Sequence, residues 1–176
     1  VRELKIELFK VEQYVEMVLA YLRMENISSD LSFAEFDLDD LIRQAVRKYS
    51  RLFILKKIKL DYDGVNSRVL TDEKWLVFVL EQLLSNALKY TKDGYISIHM
   101  EGRELVVEDT GIGIQTEDLP RVFEKGFTGY NGRTDKKSTG IGLYLCKSVV
   151  DKLRHQIRIE SRVGAGTKVY LNLTRL

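Results

Sequence analysis

Cysteine occurs once in the 176 residues, at Cys146, so no internal disulfide can form and a reducing compartment is the simpler reading. Neither sign of charge is in large excess. The formal net charge of +2 is too small to imply a nucleic-acid surface or an acidic partner. No signal peptide is present, and no apolar run approaches the roughly 20 residues that a membrane span requires. The chain begins at Val1 rather than Met and reads as a piece of a longer protein, with room for a membrane part upstream. What is there suits a soluble protein with a real core: 44% hydrophobic and 31% charged residues, in a length fit for one globular domain plus an appendage.

The first stretch has its own period. Val1, Leu4, Leu8, Val11, Val15, Val18 and Leu22 recur at alternating spacings of three and four, a heptad seam with charged residues on the other faces. Such a strip packs on its own domain or takes a partner helix, and residues 1–28 are read as a helix from a dimeric bundle. The polar stretch Asn26 to Asp30 is expected to end it.

From residue 29 onward the pattern changes. A brief strand is predicted at Phe33 and Phe36, then a helix capped by Asp37 with Leu38, Leu41, Ile42, Ala45, Val46 and Tyr49 on one stripe. Ile58, Leu60 and Tyr62 alternate as a strand does, Asp63-Gly64 turns the chain, and Val69-Leu70 make another short strand. Asp72 caps a long helix reaching Tyr90, and two strands follow, Ile96 to Met100 and Leu105 to Glu108. Thr110 to Thr139, rich in Gly, Thr and charge and holding the only proline, Pro120, reads as a functional lid, mobile over Thr116 to Ser138. A helix with Ile141, Leu145, Val149 and Leu153 comes next, then strands Ile157 to Glu160 and Val169 to Leu173. This order predicts an α/β (α+β) sandwich, one mixed β-sheet with helices packed on one face.

Four local features point to a nucleotide. Asn86 lies one turn beyond Gln82 on the long helix, beside apolar Leu83 and Ala87. An amide there is satisfied by neighbouring backbone, or by a hard cation such as Mg²⁺. The segment Glu108 to Ile114 follows a strand directly. Gly111 and Gly113 allow close backbone approach, and Asp109 offers a carboxylate to an adenine amino group. Ser138-Thr-Gly-Ile-Gly-Leu143 opens a helix, where backbone N–H groups and the helix dipole favour an anion. It lacks the Gly-Lys-Ser/Thr ending of a P-loop. The fourth, Gly164-Ala-Gly-Thr167, taken alone reads equally as a hairpin turn.

In this order and spacing, the four features resemble the N box and three glycine boxes of the sensor histidine kinase catalytic and ATP-binding domain. That domain has the Bergerat-type fold of the GHKL superfamily, which also includes gyrase, a heat-shock chaperone, a mismatch-repair ATPase and anti-sigma kinases. Phe123-Glu-Lys-Gly-Phe127 is similar to the phenylalanine box of histidine kinases. The segments Phe127 to Arg133 and Ser138 to Lys147 look like those of small Gram-positive kinases that respond to envelope stress or antimicrobial peptides.

The resemblance implies ATP and Mg²⁺ as cofactors and a set of roles. Asn86 is the metal ligand, with Lys89 and Tyr90 near the phosphates. Asp109 binds the adenine amino group, with Gly111, Gly113, Ile114 and, through water, Thr167 around it. Thr139, Gly140, Ile141, Gly142 and Leu143 shape the phosphate side, and Arg121 and Lys125 meet the γ-phosphate. Gln82 stands where the family places Asn, Glu or His, and a glutamine can hydrogen-bond but cannot act as a base. The implied partners are the protein's own dimerisation and phosphoacceptor domain, whose second helix residues 1–28 resemble, and a response regulator. Residues 29–176 are then the catalytic domain, on the cytoplasmic side of a membrane sensor. Only His99 and His155 are present. His99 alternates in a strand and reads as a surface residue, and His155 reads as a structural histidine in a turn, so the acceptor is expected upstream. The alternatives on the same fold are an anti-sigma serine kinase and a module that binds nucleotide or dimerises without phosphotransfer.

Overall fold

The computed structural model describes residues 1–129 and 139–174. The part of the expected lid from Tyr130 to Ser138 lies outside the described residues. Two compact units are formed, Val1–Leu31 and Ser32–Leu176.

The first unit is helical. Helix α1 spans Arg2–Arg23, and the chain does not stop at the polar stretch as expected. It continues through a 3-10 turn, Met24–Asn26, into one turn of helix, α2, at Ile27–Asp30. Ser29 Oγ donates to the Asn26 carbonyl at 2.7 Å. The short polar side chain thus satisfies the backbone of the turn it was expected to break. Of the heptad seam, Val1, Leu4, Leu8, Val11, Val15 and Leu22 are exposed.

The second unit runs β1 (Phe33–Asp37), α3 (Leu38–Lys56), β2 (Lys59–Asp61), β3 (Arg68–Asp72), α4 (Glu73–Tyr90), β4 (Tyr95–Glu101), β5 (Glu104–Asp109), α5 (Gly142–Lys152), β6 (Gln156–Arg162) and β7 (Gly166–Asn172). Five strands form a mixed sheet in the order β2-β4-β5-β7-β6, parallel only between β2 and β4. Alternation puts Ile96, Ile98, Leu105, Val107, Val169 and Leu171 on one face, all buried. Helices close that face: α4 packs between α3 and α5 and lies against β5, and α5 lies against β6.

Strands β1 and β3 depart from the single sheet expected. They pair with each other as a separate antiparallel ribbon. Each of them ends in the aspartate that caps the next helix, so the chain leaves the strand direction after five residues. Asp37 accepts from Asp39 N at 2.9 Å. Asp72 accepts from Trp75 N at 3.0 Å and, with its other oxygen, from Ser32 N at 2.7 Å. The second carboxylate therefore fixes the start of α4 and the entry to β1 together.

Candidate nucleotide-binding site

The site is assembled where α4 ends and β5 ends. Gln82 and Asn86 are one turn apart on α4, Gln82 buried and Asn86 half-buried. Asn86 carries no side-chain partner among the described residues. Glu81, next to Gln82, is held elsewhere by Lys48 at 2.9 Å. Lys89 is exposed, its ammonium 5.2 Å from the Tyr90 ring centroid. The last turn of α4 is anchored by Lys56, which donates to the carbonyls of Leu88 and Thr91. The Tyr90 carbonyl accepts from Ile112 N at 3.2 Å, which ties the helix end to the glycine segment after β5.

Asp109, the last residue of β5, is the electrostatic centre. Burial pushes its carboxyl up to about 6, although the amides of Gly111 and Thr167 favour the ionised form. Gly111 N donates to Oδ1 at 2.8 Å. Tightly packed backbone surrounds it. A Cβ on Gly113 would stand 2.1 Å from the Arg162 carbonyl oxygen, and one on Gly166 would stand 1.9 Å from the Asp109 carbonyl oxygen. The Gly164 to Thr167 turn is therefore not a plain hairpin, since it seats the strand that carries Asp109.

Ser161, on β6, was not singled out from sequence. It organises three of the residues that were. Its hydroxyl donates to the Gly166 carbonyl at 2.9 Å and accepts from Ile114 N at 2.8 Å. With its one proton used, it takes the Thr167 hydroxyl as donor at 2.8 Å. A signal existed: Ser161 follows Ile157 and Ile159 at period two, a polar residue on a strand face that is otherwise apolar.

The phosphate-side residues precede and open α5. Ile141 is the N-cap residue, and no side-chain cap bond is made there. Thr139 Oγ1 accepts from Ile141 N at a long 3.4 Å. The carbonyl of Gly140 accepts from Gly126 N at 3.0 Å, joining the phenylalanine-box segment to the glycines before the helix. Gly142 and Leu143 begin the helix and are half-buried. Arg121 is not directed at these residues. It donates to Glu124 at 3.0 Å and stacks on Phe127 with 4.4 Å between its Cζ and the ring centroid. Lys125 is exposed.

His155 is only 3% exposed, and its Nε2 lies 3.1 Å from Thr71 Oγ1. An imidazole enclosed in this way has no room for in-line attack on a phosphate. Cys146 is fully buried and its thiol is pushed up to about 12, so it is inert at neutral pH.

A half-buried carboxylate at a strand end, a glycine-walled turn on either side of it and, on the adjoining helix, an amide with no side-chain partner among the described residues mark a mixed-sheet domain of the ATP-binding type. The chain belongs to the family described as histidine kinase-, DNA gyrase B- and HSP90-like ATPases, which it matches over residues 71–175. It is 37% identical over 169 residues to the sensor protein BceS of Bacillus subtilis (strain 168), covering 94% of this chain and 51% of that protein. It is 36% identical over 179 residues to the sensor histidine kinase GraS of Staphylococcus haemolyticus (strain JCSC1435), covering 99% of this chain and 52% of GraS. The chain thus spans about half the length of these relatives. Among solved structures, full-length ShkA in complex with AMPPNP is similar with a TM-score of 0.72 at 24% identity, over 89% of this chain and 34% of ShkA. The catalytic domain of the histidine kinase ThkA is similar with a TM-score of 0.66 at 23% identity, over 82% of this chain and 97% of that domain. Among the described residues, no helix is long and apolar enough to cross a membrane.

Proposed function

We propose that this chain is the catalytic part of a membrane-anchored sensor histidine kinase, which moves the γ-phosphoryl group of ATP to a histidine on a dimerisation helix. From there the group passes to an aspartate of a response regulator. The observation that carries the reading is Asp109, a carboxylate held at the end of β5 by two backbone amides with no cationic partner among the described residues. Such a group, ionised, accepts the hydrogen bond an adenine amino group offers. Thr167, its hydroxyl oriented by Ser161, stands across the strand pair from Asp109 and can hold a bridging water.

The half-buried Asn86 amide fits Mg²⁺, an ion that takes oxygen ligands and keeps several waters. When bound, that ion neutralises charge on the phosphates. The uncapped start of α5 directs its first N–H groups toward an anion. Arg121 reaches a γ-phosphate only by leaving Glu124 and Phe127. Gln82 can orient an incoming imidazole through a hydrogen bond but takes no proton from it. Phosphoryl transfer asks chiefly for positioning and charge neutralisation, which this set supplies.

The parent protein is a homodimer whose bundle includes residues 1–28, and the described domain lies on the cytoplasmic side. The sequence relatives, named as sensor proteins and sensor histidine kinases, support this reading.

With radiolabelled ATP the chain alone is expected to take up no acid-labile label, and a separately supplied acceptor-helix domain is expected to become labelled. Label on the chain alone that disappears in His155→Ala would overturn the assignment. Deletion of residues 1–28 is expected to leave nucleotide affinity unchanged in calorimetry, because every assigned site residue lies beyond them. A loss of binding in the truncated chain would place part of the site in the helix.

A further inference from the structure

On the sheet face opposite the helices, charged side chains cover the strands. One cluster there has the composition of a metal site. His99 and Glu101 project from β4, Glu108 projects from β5, and one ligand atom from each lies within 4.8 Å of the others. His99 Nε2 is 3.1 Å from Glu101 Oε1 and 3.9 Å from Glu108 Oε2. Around a tetrahedral ion with bonds of about 2.0–2.1 Å, ligand atoms stand roughly 3.3 Å apart. The observed spacings bracket that value, so small side-chain rotations suffice.

We infer that His99, Glu101 and Glu108 form a site for a borderline divalent ion of the Zn²⁺ class, separate from the Mg²⁺ of the nucleotide. Nitrogen and carboxylate donors in this ratio suit such an ion and leave one position for water. The orientation of the imidazole is built in. Ser97 Oγ lies 2.9 Å from Nδ1, which leaves Nε2 facing the two carboxylates, the arrangement by which an outer partner sets the ring of a metal-binding histidine.

Lys168, on β7, is the competitor. Its ammonium stands 2.7 Å from Glu101 and 3.6 Å from Glu108, between the carboxylates an ion would use. Metal binding must displace it, and its side chain is 35% exposed, with solvent to move into. The cluster is one residue along from Asp109 and Thr167 but on the opposite face of the same strand pair. The two sites share strands and no side chains, so the test needs no nucleotide.

The untagged chain, free of nucleotide, is titrated with Co²⁺ while its visible absorption is followed, and with Zn²⁺ by calorimetry. One equivalent is expected to bind saturably. Lys168→Met is expected to bind more tightly, and His99→Ala and Glu108→Gln are expected to lose saturable binding while keeping the parent's thermal transition. The only other histidine is buried His155, so a signal that survives His99→Ala puts the ion elsewhere and overturns the assignment. Absence of saturable binding in both the parent and Lys168→Met also overturns it, and the cluster is then a set of ion pairs.

Discussion

Asp109→Asn is expected to bind nucleotide roughly a hundredfold more weakly than the parent, the order of one lost charge-assisted hydrogen bond. The asparagine oxygen must keep accepting from Gly111 N, which turns its NH₂ toward the adenine amino group and sets donor against donor. The same change is expected to stabilise the nucleotide-free domain at pH 7 by about 1–2 kcal/mol. The sign follows from the direction of the shift. Burial raises Asp109 from 3.8 to about 6, so the folded chain binds a proton more readily than the unfolded chain does. The stabilisation from that proton is complete below about pH 4 and is lost as pH rises through 6. Thermal unfolding from pH 4 to 8 should therefore show a fall in the parent that Asp109→Asn lacks. Nucleotide affinity should run the other way, weakening as pH drops through 6, because adenine is met by the ionised carboxylate. Equal affinity of parent and variant at pH 7.5 would remove Asp109 from the site.

Gly166→Ala is expected to cost about 3–5 kcal/mol of stability, a large fraction of what a domain of this size has to lose. Two costs add. The backbone at Gly166 has φ +108°, where L-residues are strained, and the new methyl would stand 1.9 Å from the Asp109 carbonyl oxygen. Relief requires β7 and β5 to separate at the register pair Asp109–Thr167, so the nucleotide site is lost along with the stability. Gly164, two residues earlier in the same turn, is the control. It also has positive φ (+78°), but nothing lies within 4 Å of a Cβ there. Gly164→Ala is expected to cost only about 1 kcal/mol and to leave nucleotide binding intact. Denaturant melts of the two variants side by side decide the matter, and equal losses would mean that backbone strain alone sets the cost.

Much of this was legible in the order of residues. Local physics decides a helix cap, so Asp37 and Asp72 mark the starts of α3 and α4 in the sequence itself. Alternation decides which face of a strand is buried, and Ile58, Leu60 and Tyr62 marked the place of β2 by it. The acid at the end of β5 and the flanking glycines could be singled out because a carboxylate and flexible backbone at a strand end have few other uses. Other features were decided only by residues far apart in the chain. The pairing of β1 with β3 outside the main sheet depends on where the two capping aspartates turn the chain. Ser161 reads as one more strand residue until Ile114, Gly166 and Thr167 converge on it. Arg121 reads as a free cation until Glu124 and Phe127 occupy it. His99 reads as a surface histidine until β5 and β7 bring Glu108 and Lys168 beside it. Periodicity and capping act over four residues or fewer and are written in the sequence. A hydrogen-bond hub, an occupied cation and a cluster across three strands depend on strand register, which many weak contacts set together and no single motif encodes.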